Sequence, residues 1–428
     1  MGNLIQPKIL KGFRDFLPEQ EILRTGLQEK VIKVFRSYGF VPIDTPVLEY
    51  SEILLRKSNG ETEKQVFRFE DNGGRDVALR FDLTVPFARF TAEHKDELYF
   101  PFKRYHIAKV WRGEKPQAGR YREFVQCDFD IVGSDSPSSD FEILSLMKAS
   151  LKEIGVENVT IKVNHRGIFN RFLAKIQVQE KSEDILRTVD KLAKVGVDAV
   201  VQELTEICGS EENAKLILDY IQKKSSFTET LSHIEEMAGG KAEDSERMAK
   251  IYSMMQETGI ADSFELDPSI TRGLDYYTGI VYETFLNDLP SIGSVCSGGR
   301  YDNLAGLYMK DRVPGVGASI GLDRLIAGLE QLGITEKKGS YVDVEIFNTD
   351  DSLCVEYQKL AGLLRAKGYS VEVFPEAKKI IQQYGVAEKK GIKWGIMMSA
   401  EQCASGKFQL KNLQTRETVD CTVEEFNI

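Results

Sequence analysis

Apolar residues recur at helical spacing between residues 18 and 38, followed by Gly39. This spacing predicts an amphipathic helix with its apolar side on a core, and the glycine suits its carboxyl-terminal cap. The next segment, 41–50, has β character but contains Pro42 and Pro46. Because proline cannot donate to a strand ladder, we expect a broken strand at a sheet edge or an interface.

Between residues 65 and 133, short alternating runs are separated by turn-forming residues. The runs on either side of Asn72–Gly74, including 76–84, predict a β-hairpin. Runs at 103–114 and 120–133 predict a second, longer hairpin around its loop. Strand-rich spacing of this kind indicates an antiparallel sheet.

From residue 138 onwards, apolar residues recur mainly at helical spacing. A helix at 138–155 and a strand at 158–164 lead into a mostly helical insertion at about 166–262. Further elements are strands at 280–287, 293–297 and 315–320, and a helix from Leu322. We therefore predict an α+β domain over 1–329, built on an antiparallel sheet flanked by helices.

The carboxyl-terminal part reads differently. Residues 330–340 have the composition of a linker, and 341–428 alternate strand, helix, strand, helix, strand. This alternation predicts a small α/β domain with a parallel core.

Composition narrows the class of protein. The chain is 42% hydrophobic and 29% charged, as in soluble enzymes, and no apolar run approaches the roughly 20 residues that span a bilayer. The amino terminus lacks the apolar segment of a signal peptide. Six scattered cysteines and four histidines show no metal-ligand spacing, so we expect reduced cytoplasmic thiols and no metal site built from protein alone.

The net charge of −10 opposes general affinity for polyanions. Residues 103–122 are nevertheless strongly basic and interleaved with aromatic residues, which favours a specific role over a merely solvated face. The basic residues are Lys103, Arg104, Lys109, Arg112, Lys115, Arg120 and Arg122, against the single acid Glu114.

The segment WRGEKPQAGRYREF (111–124) has the chemistry of a nucleotide clamp. Arg112, projecting from a strand, could grip a phosphate bidentately, and Phe124 on the returning strand could stack on a purine. The alternative is a surface ladder of ion pairs through Arg112, Glu114 and Arg120.

In GVGASIGLDRL (315–325), glycines permit close approach by a ligand, and Arg324 lies near a helix start, where anions are favoured. The alternative is a salt bridge between Arg324 and Asp323. In RFDLTVPFARF (80–90), Asp82 and Thr84 on one side of a strand could hold an ammonium group, or Asp82 could pair with Arg80.

RGLDYYTG (272–279) places two tyrosines between glycines. On a strand Tyr276 and Tyr277 would point to opposite faces, whereas on a loop both could contact a ligand. The alternative is two core tyrosines beside an ion pair of Arg272 with Asp275.

Together and in this order, these segments resemble the class II aminoacyl-tRNA synthetases, specifically the histidyl-tRNA synthetases, over essentially the whole chain. KGFRDFLPEQ and PIDTPVLE are similar to the family's opening and motif 1 (about 19–50), and RGLDYYTG to its histidine signature. The other matching segments are motif 2 (about 103–133), motif 3 (about 315–326) and CSGGRYDNL (296–304).

The resemblance implies that L-histidine is activated with ATP and Mg²⁺ and transferred to tRNA-His, by a cytoplasmic homodimer formed through motif 1 that makes no membrane contact. The implied catalytic residues are Arg112, Arg272 and Arg324. ATP would contact Arg112, Glu114, Arg120, Phe124, Arg272 and Arg324, and histidine would contact Asp82, Thr84, Gln126, Asp130, Tyr276 and Tyr277.

The tRNA acceptor end would meet Lys115, Gln117 and Arg122, and 341–428 would bind the anticodon, with a basic cluster at Lys378, Lys379, Lys389, Lys390 and Lys393. No side-chain nucleophile is implied, and the sequence nominates no base for the transfer step. Asp82 and Asp130 depart from the glutamates of many bacterial members and match the eukaryotic and archaeal pattern.

Two alternatives stay open. The regulatory subunit of ATP phosphoribosyltransferase shares this fold without charging tRNA, but it usually lacks the RGLDYY signature and the anticodon domain. A synthetase-like RNA sensor would tend to lose the ATP arginines, which are intact here.

Overall fold

The computed structural model describes residues 4–55, 60–270, 276–303, 305–335 and 338–428. The chain forms two compact units. The first contains residues up to Arg14 together with Leu27–Ile334, and the second contains Asp15–Gly26 together with Thr335–Ile428. The predicted bounds of the domains, the linker and the insertion remain predictions.

An eight-stranded sheet, ordered β1-β5-β6-β11-β10-β9-β7-β8, forms the centre of the first unit. Its neighbours run antiparallel except for β1 with β5 and β7 with β8. The predominantly antiparallel sheet of the predicted α+β fold is thus present. The strands are β1 (Val41–Pro42), β5 (Phe102–Trp111), β6 (Glu123–Val132), β7 (Val159–His165), β8 (Phe264–Leu266), β9 (Ile280–Leu286), β10 (Cys296–Tyr301) and β11 (Gly315–Gly321).

A separate three-stranded sheet, ordered β2-β4-β3, comprises Leu48–Tyr50, Asp76–Leu79 and Arg68–Glu70 respectively. The predicted first hairpin is β3 with β4. Its turn is closed by the Asp71 carboxylate, which accepts hydrogen bonds from the backbone N–H groups of Gly73 and Arg75 at 2.9 Å. The proline-containing segment forms two short strands, with β1 at the edge of the large sheet, as expected for proline.

The prediction of a strand through residue 84 is wrong. Strand β4 ends at Leu79, and a helix, α4, spans Thr84–Glu93. The Asp82 carboxylate accepts a hydrogen bond of 3.0 Å from the backbone N–H of Val85, and Pro86 occupies the first turn, where its missing N–H costs nothing. Asp82 therefore lies in the connection before α4.

Helices flank the large sheet and cover its apolar side. The predicted amphipathic helix is present as α1 (Pro18–Ser37), and its Phe35 ring lies 4.9 Å from that of Phe129 on β6. Besides α4, the helices that lie wholly within the first unit are α2 (Ser51–Leu55), α3 (Gly60–Gln65), α5 (Pro137–Glu153), α6 (Arg166–Lys175), α7 (Ser182–Asp190), α8 (Leu192–Val195), α9 (Val197–Cys208), α10 (Glu211–Tyr220), α11 (Phe227–Met237), α12 (Glu243–Glu257) and α13 (Leu322–Gln331).

Helices α6 to α12 confirm the helical character predicted for 166–262. Inside this region the guanidinium of Arg171 binds both carboxylate oxygens of Asp244 at 2.9 Å, which ties α6 to α12. No helix in the described part of the chain is long and apolar enough to cross a bilayer.

The second unit contains a five-stranded sheet ordered β13-β12-β14-β15-β16. Strand β12 pairs in parallel with β13 and β14, as predicted, while β15 and β16 add an antiparallel extension that the pattern did not predict. Its elements are β12 (Val344–Ile346), α14 (Cys354–Ala366), β13 (Val371–Val373), α15 (Ile380–Lys390), β14 (Trp394–Met397), α16 (Ala400–Ser405), β15 (Lys407–Asn412) and β16 (Thr418–Thr422).

Candidate active site

A cavity of about 990 Å³ lies on the polar face of the large sheet. Successive side chains of a strand point to opposite faces, so β6 sends every second residue into the cavity. The cavity-facing residues of β6 are Phe124, Gln126, Asp128 and Asp130, and those on the apolar side are Val125, Cys127, Phe129 and Ile131.

Asp130 lines the cavity and is buried, with 3% of its surface exposed. Its Oδ1 accepts a hydrogen bond of 2.6 Å from the Tyr301 hydroxyl, and its Oδ2 is 2.7 Å from the Arg104 guanidinium. Burial raises the pKa of Asp130, and the nearby Arg104 lowers it. Gly317 lies opposite on β11, where an added Cβ would be 1.8 Å from Oδ1 of Asp130, so only glycine leaves room for this carboxylate.

Asp82 reaches the same cavity from the connection before α4. Its Oδ1 is bound to the Val85 N–H, while Oδ2 is buried with no hydrogen-bond partner among the described residues. Burial raises the pKa of Asp82 to about 6, against the lowering effect of Arg112. Thr84, the first residue of α4, hydrogen-bonds with Tyr276.

Tyr276 and Tyr277 both line the cavity, with ring centroids 4.7 Å apart and planes inclined at 56°. They precede β9, so the loop arrangement predicted for two ligand-facing tyrosines is the one observed. An added Cβ at Gly299 would lie 2.7 Å from the Tyr277 ring, so this glycine provides the space for it. Arg272 and Asp275 lie outside the described residues.

Arg112 and Phe124 lie close together in another part of the cavity. The Arg112 Nε donates a hydrogen bond of 2.9 Å to the carbonyl of Phe81, and its guanidinium is 5.2 Å from the centroid of the Phe124 ring. The prediction that Arg112 projects from a strand is wrong, because β5 ends at Trp111. The backbone N–H of Gly113 turns away to donate to the Gln65 carbonyl, which leaves Arg112 at the rim.

Arg324 approaches the same end from the first turn of α13. Its Nη1 donates to the carbonyl of Ser294 at 2.8 Å, and its Nε to that of Gly119 at 3.4 Å. Burial lowers its pKa, and Arg120 and Arg112 lower it further by repulsion. Positive charge is therefore concentrated here, as an anionic ligand would require.

One of the ion pairs suggested by the sequence is present, and Asp323, named in another, pairs with Arg14. Arg120 lies 3.6 Å from the Glu114 carboxylate, so one step of the proposed surface ladder exists. Asp323 pairs with Arg14 at 2.5 Å and accepts a hydrogen bond of 2.7 Å from the backbone N–H of Val125. It thereby holds the start of α13 against β6.

Lys115, Gln117 and Arg122 are not among the described residues that line the cavity. The first two are exposed on the β5–β6 loop. Arg122 turns to the protein, where its Nε donates to the Glu114 carbonyl at 3.1 Å. Its side chain thus supports the loop.

Asp128 was missed by the sequence analysis, although it lies between two residues that were named. It belongs to a polar row that crosses the sheet by strand register. The row runs from His106 on β5 through Asp128, Ser319 and Ser297 to Glu283 on β9, and all but His106 line the cavity. The alternation along β6 was the available signal, because it places Asp128 on the same side as Gln126 and Asp130.

Basic residues from the helical insertion also reach the cavity and were not predicted; they are Arg166, Arg187 and Lys191. Groups of His, Cys, Asp and Glu side chains that could hold a metal ion by themselves are absent from the described parts of the chain. The site thus combines a carboxylate- and tyrosine-rich end with an arginine-rich end. Such a cavity can hold a cationic amine and a polyphosphate side by side.

Comparison with known proteins identifies the family. The model of the histidyl-tRNA synthetase family matches residues 12–325, and that of the anticodon binding domain matches 342–427. The histidine–tRNA ligase of Treponema denticola is 60% identical over 99% of this chain and 98% of its own length. That of Treponema pallidum strain Nichols is 54% identical over 97% and 96%.

The structures agree with this assignment. The histidyl-tRNA synthetase of Nostoc superposes with a TM-score of 0.88 at 31% identity, covering 98% of both chains. A Bacillus halodurans structure described as an ATP phosphoribosyltransferase regulatory subunit/histidyl-tRNA synthetase has a TM-score of 0.75 at 22% identity, over 89% of this chain and 97% of its own, which shows the shared fold alone. The predicted fold class, family and ligase function are confirmed, and the chain belongs to the histidyl-tRNA synthetase family of aminoacyl-tRNA ligases.

Proposed function

We propose that this cavity is where the ligase joins L-histidine to ATP, before transferring histidine to tRNA-His. The observation that carries this assignment is the polarity of the cavity, with buried carboxylates and tyrosines at one end and clustered arginines at the other. The regulatory-subunit alternative is not favoured, since the curated ligases match the whole chain at high identity.

Histidine occupies the carboxylate end in this proposal. Asp82, Thr84 and Gln126 receive the α-ammonium group, while Asp130 and Tyr277 hydrogen-bond the two imidazole nitrogens and Tyr276 lies alongside. The unpartnered acceptors Asp82 Oδ2 and Gln126 Oε1 support the first part, because buried acceptors need donors. A site built from such groups rejects an analogue lacking them by roughly 10⁴–10⁵-fold.

ATP occupies the arginine end. Arg112 grips the α-phosphate, assisted by Arg272, and the adenine lies between Phe124 and Arg324. Glu114 and Arg120 contact the nucleotide from the loop. These nucleotide contacts are supported by the positions of Arg112, Phe124 and Arg324, which lie around one part of the cavity.

Mg²⁺ would accompany the outer phosphates. Hard oxygen ligands suit this ion, and the carboxylates of Glu114 and Glu283 line the cavity close enough to raise the pKa of Arg324. These two residues would hold the ion, which supplies charge neutralisation for the leaving pyrophosphate. Arg112 and Arg324 do the same for the phosphates they contact.

In the reaction the histidine carboxylate attacks the α-phosphorus in line, and pyrophosphate departs. No protein nucleophile takes part, so the side chains act by positioning and by stabilising phosphoryl charge. In the second step a ribose hydroxyl at the tRNA 3′ end attacks the acyl carbon and releases AMP.

The tRNA contacts belong to several elements. Lys115, Gln117 and Arg122 lie on or beside the β5–β6 loop, and we assign this loop to the acceptor end. In the second unit Lys390 pairs with Glu372 at 2.6 Å and Lys378 with Glu376 at 3.0 Å. The exposed residues Lys379, Lys389 and Lys393 are therefore the stronger candidates for anticodon-arm phosphates.

A homodimer formed through the motif 1 region is part of the proposal. The small sheet exposes Leu48, Tyr50 and Phe69 by 38%, 51% and 47%. Apolar side chains concentrated on one short sheet are typical of a protein contact. A cytoplasmic location is also proposed, because a tRNA-charging enzyme must be where the tRNA is used.

The test is histidine-dependent exchange of pyrophosphate into ATP by the full chain with Mg²⁺. The proposal predicts exchange that requires histidine. Folded protein that gives no exchange with histidine, ATP and Mg²⁺ would sink it.

A further inference from the structure

Asp128 is a buried carboxylate that lines the cavity. Neither the sequence motifs nor the proposed mechanism assigns it a role. It lies on β6 between Gln126 and Asp130, on the same side of the strand, and only 2% of its surface is exposed. Its Oδ1 has no hydrogen-bond partner among the described residues, although a buried carboxylate oxygen needs a donor.

The neighbours of Asp128 do not supply that donor. Across β11 it hydrogen-bonds with Ser319, whose hydroxyl also accepts a hydrogen bond of 2.7 Å from Gln126. Across β5, His106 directs its Nε2 to Asp44 at 2.9 Å. Arg104 directs its Nη2 to Asp130 at 2.7 Å, and its Nε and Nη1 have no hydrogen-bond partner among the described residues, so none of them donates to Oδ1 of Asp128.

Unpartnered acceptors converge at this point of the cavity. Asp82 Oδ2, Gln126 Oε1 and Asp128 Oδ1 are all buried without partners, and all three side chains line the same cavity. A cation with several N–H donors satisfies several such acceptors at once and compensates their negative charge. The α-ammonium group of an amino acid has three such donors.

We propose that Asp128 is a further substrate-binding residue of the histidine site, whose Oδ1 accepts a hydrogen bond from the α-ammonium group of bound histidine. This inference rests on the proposed histidine site. It adds a second carboxylate to Asp82 on the ammonium, so that the amino acid is held from β6 as well as from the start of α4.

The ionisation of Asp128 ties this contact to pH. Burial, together with the negative charges of Asp130 and Asp82, raises its pKa to about 7 against the lowering effects of Arg104 and Ser319. The other charged or titratable groups near it are Arg80, on the connection after β4, and His106 on β5, whose pKa burial lowers to about 4. Near pH 7 about half of the free sites therefore hold a proton on Asp128, which must leave before this carboxylate can accept from the ammonium group.

The first experiment is Asp128→Asn in pyrophosphate exchange. We expect the KM for histidine to rise at least about tenfold, as for loss of a charge-assisted hydrogen bond, with the KM for ATP within about twofold. Inhibition by histidinol, which keeps the ammonium group, should weaken by the same factor. Imidazolepropionate, which lacks it, should inhibit as before.

The matched control is Glu345→Gln. Glu345 is also buried with unpartnered carboxylate oxygens and a pKa raised by burial to about 7, but it lies on β12 in the second unit. Its variant should leave the histidine KM unchanged. An unchanged histidine KM in Asp128→Asn, or an equal weakening of inhibition by histidinol and by imidazolepropionate, overturns the inference. Absence of exchange in the unmodified enzyme overturns the proposed function instead.

The unmodified enzyme provides a second test that needs no variant to fold. Between pH 8 and pH 6, inhibition by histidinol should weaken about tenfold or more relative to inhibition by imidazolepropionate, because Asp128 must lose its proton. Asp82 alone, with a pKa of about 6, would weaken it only about twofold. A relative change of twofold or less contradicts the contact.

Discussion

Replacing Gly317 with alanine should damage histidine recognition while sparing ATP. The added Cβ would lie 1.8 Å from Oδ1 of Asp130 and 2.9 Å from the Phe129 carbonyl oxygen. An ordinary contact is roughly 3.2–3.5 Å, so the carboxylate must move by about 1.5 Å. That shift exceeds what the 2.6 Å bond from Tyr301 and the 2.7 Å pair with Arg104 can absorb.

The expected loss of histidine affinity can be estimated from the hydrogen bonds of Asp130. Losing one hydrogen bond to a buried charge costs about 1.5–3 kcal/mol, which is about 10- to 100-fold in affinity. We therefore expect the histidine KM in pyrophosphate exchange to rise by about that factor, with the ATP KM within about twofold. The matched control is Gly362→Ala on α14, where an added Cβ meets no heavy atom within 4 Å.

Thermal unfolding must accompany the kinetics, because the strand itself could shift. A Gly317→Ala protein that unfolds cooperatively and keeps the histidine KM of the unmodified enzyme would refute the role of Asp130. Equal increases in both KM values would show that the substitution disturbs the sheet as a whole.

Tyr277→Phe should weaken histidine more than ATP, since only the phenol hydroxyl at the imidazole is lost; equal weakening in exchange assays would contradict that contact. Arg112→Lys should lower the exchange rate by about 10²-fold, because an ammonium cannot bind the phosphate bidentately, and a rate within twofold of normal would count against the phosphate role. Asp128→Asn should raise the melting temperature at pH 8 but not at pH 4. Because its raised pKa favours the protonated carboxyl of Asp128 in the native state, burying this group costs no stability at pH values below its unfolded-state pKa near 4. Above about pH 7 the native state bears the full cost of the buried charge, roughly 2–4 kcal/mol. A melting-temperature difference that does not depend on pH would argue against this. Tyr50→Glu should produce monomers in sedimentation velocity, and an unchanged sedimentation coefficient would exclude this sheet from a dimer interface.

The sequence predicted the parts of the fold that depend on local periodicity. The β5–β6 hairpin and the helices of the insertion follow from alternation and helical spacing, and both are present. The segment after β4 was assigned wrongly because RFDLT alternates like a strand. The bond from the Val85 N–H to Asp82, which helps to start α4, is invisible in that alternation.

The site could be predicted only as far as motifs and local pattern reach. The register of a two-stranded hairpin places Arg104 opposite Asp130, and alternation places Asp128 beside Gln126. Neither pattern shows that Tyr301 donates to Asp130 or that Gly317 makes room for it, since those contacts join strands more than 150 residues apart along the chain. The antiparallel extension of the second unit was missed because its strands are largely polar, and only Phe408, Leu410 and Cys421 among their residues are buried.

A structure of the enzyme with a non-hydrolysable analogue of histidyl-adenylate would test the assignment of this cavity to histidine and ATP most directly. We expect the imidazole to lie between Asp130 and Tyr277, the ammonium group to contact Asp82, Gln126 and Asp128, and the phosphate mimic to lie beside Arg112. An imidazole bound at the arginine end, or an adenine away from Phe124 and Arg324, would contradict it.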